Sequence, residues 1–584
     1  MQCIEVHGSG CCPEVDQEGP AKAGDRERQG CLFGKPVLSR ATSLLCALAM
    51  IAGSSLPLGL LAATRSPKQR IVPNWARCEQ VFISTFEYTN ALQEANLLAV
   101  FTSPLGDRRI VSGFWDGGRV WRVRFCPDIP GQWTFTTFCS DSKNFGLDGH
   151  TDKFLCTAQV GESPFRRHGP VRVARDHRHF EHADGTPFFW LADSAGSGAF
   201  LSNPKDWQRY ALIRSSQRFN AAVWSATPQE DFEHESALKG LPDRIGINPA
   251  VFQRLDAKLE TLSREGILSA IIPFSDEPFA VGVRSLPEDQ AALVVKYMMA
   301  RWGTEPVAWV VDLQSGASEN QIELWKRIGS AAFTNSFHAP VIVFSSESSG
   351  VAGRFRDQPW VDAFGVDAPP DSSLEGNNIS KLASAQEGFD NNAQPIILLT
   401  PRENGIQESH KRFNPDDVRH AVYEKLLMTP PAGVTYAAQG VIDWNTSADP
   451  KNRANPGAEM PLWEKALFLP GAKQMRSLAN LMNSIDFWRL RPRPDAVPNP
   501  PGQSPAQERV VAACTSARDL TLVYLPQANP VDVYLQAMPE SPLVNWIEPR
   551  QGSTRSAVAV VSGSTCQFPP PGEGDWVLLI KSSK

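Results

Sequence analysis

The sequence predicts an α/β protein, a (β/α)8 TIM barrel flanked by two small β-sandwich domains. Three observations carry this. Short runs rich in β-branched and aromatic residues fill the front of the chain as far as Val160. Apolar runs then alternate with helix-period segments to about Pro494. Short strand-like runs return after a proline-rich stretch. At 584 residues the chain exceeds what one core organises, and three cores is the natural reading. The expected boundaries are 71–160, 163–494 and 506–584, after a leader over 1–63.

Composition excludes several classes of function. A net charge of -6 offers no broad basic surface, so no nucleic-acid partner is expected. The 10 histidines are scattered, with no HExxH or CxxC, so neither metal nor cofactor is expected. There are 16 tryptophans. They serve β cores, and they also serve clefts that stack sugar rings.

The leader has two parts. Residues 1–34 are polar without a period. Lys35 and Arg40 then precede an apolar stretch, Ala41–Ala63, with small residues at its exit. That is the layout of an export signal, with cleavage near Ala62 or Ala63. A single membrane anchor is the alternative, because the stretch exceeds the ~20 residues that a span needs. Ser54, Ser55, Pro57 and Gly59 argue for cleavage. The expected location is therefore secreted, periplasmic or at the cell exterior, with no stable membrane span after cleavage. Cys78, Cys126, Cys139 and Cys156 fall in the front domain and Cys514 and Cys566 in the last. Even numbers in each suggest two disulfides in front and one behind; free buried thiols are the alternative.

In the front domain, Val81–Tyr88, Asn96–Thr102, Val120–Phe125 and Gln132–Phe138 read as strands. Turns follow at Gly106–Asp107, Asp116–Gly118 and Pro130–Gly131. In the middle domain the strands expected are Pro187–Ala192, Asn220–Trp224, Ile267–Phe274, Val307–Val311, Pro340–Phe344, Val361–Val366, Pro395–Leu399 and Gly433–Tyr436. Helical patterns separate them, including Pro204–Ser216, Pro249–Glu265, Pro287–Trp302, Gln321–Ser336, Asn378–Glu387 and Pro415–Met428. Such alternation fits a barrel. The lack of GxGxxG and GxSxG disfavours dinucleotide-binding and α/β-hydrolase folds.

Barrel sites open at the C-terminal ends of strands. Acids at those ends are Asp193, Glu277, Asp312, Glu347, Glu403 and Asp443. Cleaving a glycosidic bond needs two converging carboxylates, one protonated and one ionised. Asp312, at the end of the fourth strand, is the leading acid/base; alternation puts it on the face of Gln314 and opposite Val311. Glu403 or Glu277 would supply the second carboxylate. Asp193, Trp224, Gln314, Tyr436, Asp443 and Trp444 are expected to hold an oligo- or polysaccharide. The structural alternative is that the tryptophans beside strands are core.

Several strings resemble a known family. The front string GFWDGGRVWRVRFCPDIPGQWTFTT (Gly113–Thr137) is similar to the DUF5060-type β domain. In the middle, HFEHADGTPFFWLADS (His179–Ser194), RFNAAVW (Arg218–Trp224), RWGTEPVAWVVDLQ (Arg301–Gln314) and AGVTYAAQGVIDW (Ala432–Trp444) resemble the DUF4038, or apiosidase-like, barrel. At the end, LVYLP (Leu522–Pro526) and WIEPRQG (Trp546–Gly552) resemble a collagen-binding-type domain. The resemblance implies a glycoside hydrolase of polysaccharides or their side chains. It implies an acid just beyond the fourth-strand Trp and a glutamate after the seventh strand, with Asp193 on the sugar-binding floor. Here those acid positions fall near Gln314 and Thr400, which cannot exchange protons as carboxyls do. Two readings follow: a hydrolase whose acids have moved to Asp312 and a neighbouring loop, or an inactive barrel that binds extracellular polysaccharide.

Overall fold

The structure is a computed structural model describing residues 70–158, 161–276, 280–313, 317–334, 336–345, 351–367, 394–405, 412–429, 431–447, 460–498 and 508–583. The expected leader, the candidates Glu277 and Gln314, and the expected helix Asn378–Glu387 lie outside these residues.

Eight parallel strands close into a barrel: β1 (Trp190–Gly196), β2 (Ala221–Ser225), β3 (Leu268–Ile272), β4 (Val307–Leu313), β5 (Val341–Ser345), β6 (Ala363–Asp367), β7 (Ile396–Glu403) and β8 (Pro431–Ala438). β8 pairs with β1, Tyr436 opposite Asp193, which closes the ring. Both faces of these strands are covered, so each reads as a nearly continuous apolar run. Alternate residues nevertheless divide cleanly. Ala192, Ala221, Val223, Leu268, Ala270, Ala308, Val310, Ile342, Phe344, Ala363, Ile397 and Leu399 pack inside the barrel. Leu191, Trp224, Ile271, Trp309, Val311, Val343, Phe364, Leu398 and Tyr436 pack outward against helices. A small antiparallel sheet (Val171–Val173, Phe180–His182, Pro187–Phe188) sends Val171, Phe180 and Phe188 into the interior cluster, plugging the N-terminal end.

The outer helices are α1 (Pro204–Ser216), α2 (Pro249–Arg264), α3 (Glu288–Trp302), α4 (Glu319–Phe333), α5 (Pro415–Met428) and α6 (Pro470–Asn483). Their starts are written locally. Asn203 caps α1 by accepting from the Asp206 N–H, and Asn414 and Asp417 form a reciprocal capping box on α5. Proline at the first turn of both supplies a preset φ where no amide donor is needed.

Smaller β-sheet domains flank the barrel. In front, a five-stranded and a three-stranded sheet enclose one core built on Leu97, Phe101, Trp121, Phe125, Trp133 and Phe154. Phe101 stacks on Phe125 at 4.1 Å. At the end, a six-stranded and a three-stranded sheet enclose Val523, Trp546, Phe568 and Trp576. Leu490–Pro492 pairs with Val511–Thr515 in this sheet.

Each flank is held by a buried arginine on a barrel helix. Arg301 of α3 binds front-domain Asp116 and α2 Asp256, both at 2.8 Å. Arg124 joins the same cluster through Asp256 at 2.8 Å, Glu79 at 2.8 Å and the Arg301 carbonyl at 2.7 Å. Burial pushes the Asp116 and Asp256 carboxyls up, but the arginines around them hold both below the usual range. On the other side, Arg419 of α5 grips Asp575 through two bonds of 2.7 and 2.8 Å.

The cysteine pattern is corrected by the structure. Cys78, Cys126, Cys139, Cys156, Cys514 and Cys566 are all free, so the expected disulfides are not made. Cys139 pairs with Leu97 while Cys156 pairs with Gly131, at opposite ends of one strand, roughly 27 Å apart at strand rise. Cys78 and Cys156 serve as core side chains, and burial pushes the Cys156 thiol up to about 11. An even count within a β domain reports composition, not proximity.

Candidate active site at the barrel mouth

Strands β1 to β6 are almost wholly buried. Their partly exposed positions are three: Ser194, Asp312 and Asp367. All three lie on the inward face near the C-terminal ends. Asp312 follows Ala308 and Val310, and Asp367 follows Ala363, by steps of two. Asp312 pairs with Phe344, and Phe344 pairs with Gly365. Asp367 therefore stands two residues further toward the mouth, one strand beyond. Beside Asp312 and beneath Asp367, Phe344 fills the space left by Gly365, where a Cβ would sit 2.4 Å from its ring.

Ser225, on the inward face of β2, is buried, and its hydroxyl has no hydrogen-bond partner among the described residues. In the loop after β3, Asp276 accepts a hydrogen bond from Gln321 at 3.1 Å and faces Arg284 at 3.6 Å. Among the described residues no group of three or more His, Cys, Asp or Glu side chains could hold a metal ion.

Four other candidates face the helical layer instead. Asp193 is fully buried. It accepts from the Tyr210 hydroxyl at 2.8 Å and pairs with Arg214 at 2.8 Å, both on α1. Glu403 is also buried. It accepts from the Tyr436 hydroxyl and from the Gly471 amide of α6, the latter at 3.1 Å. The Arg214 guanidinium lies 5.8 Å from the Tyr436 ring. Asp193, Arg214, Tyr436 and Glu403 thus form one charged cluster behind the seam where the barrel closes. Burial pushes the Glu403 carboxyl above the ordinary glutamate range, further than Tyr436, Gly471 and Arg214 pull it down. Burial, and after it the adjoining carboxylates, push the Tyr210 and Tyr436 phenols far up, so both remain donors. Trp224 packs edge-on to Trp302 at 6.1 Å in the same outer layer.

Trp444 is buried as well. It stacks on Trp463 at 4.4 Å and contacts Trp207 at 5.8 Å. Gly198 makes room for it, since a Cβ there would lie 2.5 Å from the indole. Neighbouring Asp443 is half-buried and accepts a hydrogen bond from Gln439. Thr400, the position where the resemblance implied a glutamate, is buried, and its hydroxyl bonds the Pro401 carbonyl and the Ala437 amide.

Sequence reasoning overlooked Asp367 because the predicted strand Val361–Val366 stopped one residue short of it. Carrying the alternation of Ala363 and Gly365 one step further finds it.

The comparisons with known proteins agree with this architecture. Residues 71–140 match a domain of unknown function, DUF5060. Residues 501–581 match the "putative collagen-binding domain of a collagenase". No curated protein matches. Among solved structures, one titled a "putative glycoside hydrolase" from Bacteroides vulgatus is 16% identical with a TM-score of 0.63, covering 88% of this chain and 100% of that one. A glycoside hydrolase family 5 protein from Bacteroides vulgatus is 18% identical with a TM-score of 0.61, covering 73% and 95%. These likenesses establish a glycoside-hydrolase-like fold. The apiosidase-like catalytic domain matches residues 174–489, more than half of the chain, and the protein belongs to that family.

Proposed function

We propose that this protein is an exported glycoside hydrolase that cleaves glycosidic bonds in a polysaccharide or its side chains at the mouth of a (β/α)8 barrel. One observation carries the reading. Where the inner faces of β1 to β6 meet solvent, they present two carboxylates and a hydroxyl. A barrel built only to support its neighbours gains nothing from acids there. Asp312 serves as the proton donor to the leaving oxygen. Export follows from the Ala41–Ala63 signal reading. Among the described residues no helix is long and apolar enough to cross a membrane.

A second reading, a barrel that binds extracellular polysaccharide without cleaving it, draws on Glu403 and Thr400. Glu403 is committed to Tyr436 and Gly471 in the helical layer, and Thr400 carries no carboxyl. The experiment is a panel of plant and microbial polysaccharides, scored for binding and for release of reducing sugar. Release that falls at least about 10³-fold in Asp312→Asn supports the hydrolase. Binding without release, unchanged by Asp312→Asn, supports the second reading.

A further inference from the structure

We propose that Asp367 is the second carboxylate of the site, the base that faces Asp312 across the barrel mouth. This rests on the hydrolase reading above and deepens it. Asp312 and Asp367 are the only acids among the partly exposed positions of β1 to β6. Both side chains occupy the inward face, on strands separated by β5 alone. One inter-strand step of two and a rise of two residues put their Cα atoms roughly 11 Å apart. From that span the two inward side chains approach the separation of about 6.5–9.5 Å that leaves room for a water between acid and base. The shorter spacing of about 5 Å, needed for direct attack by a carboxylate on the sugar, is not what this register favours. Glu403 does not compete for the role, because it is turned away behind β8.

The step is a single displacement. Asp312, protonated, gives its proton to the glycosidic oxygen. The bond from that oxygen to the anomeric carbon breaks, and its electron pair stays with the leaving oxygen. A water on the opposite face forms the new bond to the anomeric carbon, and Asp367 takes the proton that this water loses. The site finishes with Asp312 ionised and Asp367 protonated, and proton exchange with solvent restores it. The sugar is released with inverted configuration.

Two measurements test this on the exported form. The first needs no activity. With aspartate carboxyl carbons selectively labelled with ¹³C, the Asp312 carboxyl is titrated by NMR in the wild type and in Asp367→Asn. Two carboxylates sharing one hollow hold each other's protons, so removing one charge should lower the Asp312 pKa by about one pH unit. An unchanged titration overturns the juxtaposition. The second is turnover on whichever polysaccharide of the panel is cleaved. Asp367→Asn should lower kcat at least about 10³-fold with KM little altered. Azide added to Asp367→Ser should restore cleavage and yield a glycosyl azide of inverted configuration. Retained kcat in Asp367→Asn, a retained anomeric product, or equal loss in Glu277→Gln with Asp367→Asn unaffected would each overturn the assignment. If the wild type cleaves nothing while the titration is coupled, the hydrolase reading fails and the pair stands as a charged binding cluster without a catalytic role.

Discussion

Gly471 shows how tightly single residues are committed in this fold. A Cβ at that position would lie 2.2 Å from a Glu403 carboxylate oxygen, so only glycine lets the α6 amide reach that group. Glu403 itself carries a pH signature. Its folded value is raised, chiefly by burial, so the native state holds the proton more firmly than the unfolded chain does. Its contribution to stability is therefore full below the free glutamate value of about 4.3 and is lost as pH rises through the folded value. Glutamine at 403 keeps an acceptor for the Gly471 amide and removes the charge. In denaturant unfolding, Glu403→Gln should gain on the wild type between pH 4 and 7.5. The gain should be about 1.4 kcal/mol for each pH unit by which the folded value exceeds the free one. An equal difference at both pH values would mean that the carboxyl is not desolvated. None of this was legible in the sequence. Glu403 looked like a loop acid after a strand, and whether it faces the mouth or the seam depends on a register shift between Leu399 and Arg402 that no local pattern announces.

At the scale of elements, period-two alternation was the most readable signal, and it places Asp312 and Val311 on opposite faces as expected. The same rule, applied to Asp193, Trp224 and Tyr436, shows why chemistry-bearing residue types mislead. They alternate with the inward set and belong to the outer layer. Asp116–Gly118 reads only as a turn in sequence, yet Asp116 is buried between Arg122 at 2.6 Å and Arg301 at 2.8 Å. That contact joins segments 185 residues apart, and nothing local encodes it. Removing Asp116 takes one of two carboxylate partners from each arginine, leaving Arg122 on Glu79 and the fully buried Arg301 on Asp256. Asp116→Ala should cost about 1–3 kcal/mol, read as a lowered midpoint in urea. A cost below about 1 kcal/mol would show that the cluster is hydrated and dispensable.

Over the whole molecule, the order of a strand-rich front, a barrel and a strand-rich end was legible from texture alone, because hydrophobic period and turn residues vary over long windows. Bridging was not, since cysteine count says nothing of distance. With six free thiols in the described residues, reductant should leave the melting temperature unchanged, and a thiol assay in denaturant should return the same count with and without prior reduction. A fall in melting temperature of several degrees on reduction would contradict this. The plugged interior has a consequence for how any polymer could be handled. With Phe180 and Phe188 stopping one end of the barrel and Phe344 forming a floor beside Asp312 and under Asp367, the hollow is blind-ended. A glycan strand cannot thread through it, so any polymer that binds there must lie across the mouth, over the open ends of the strands.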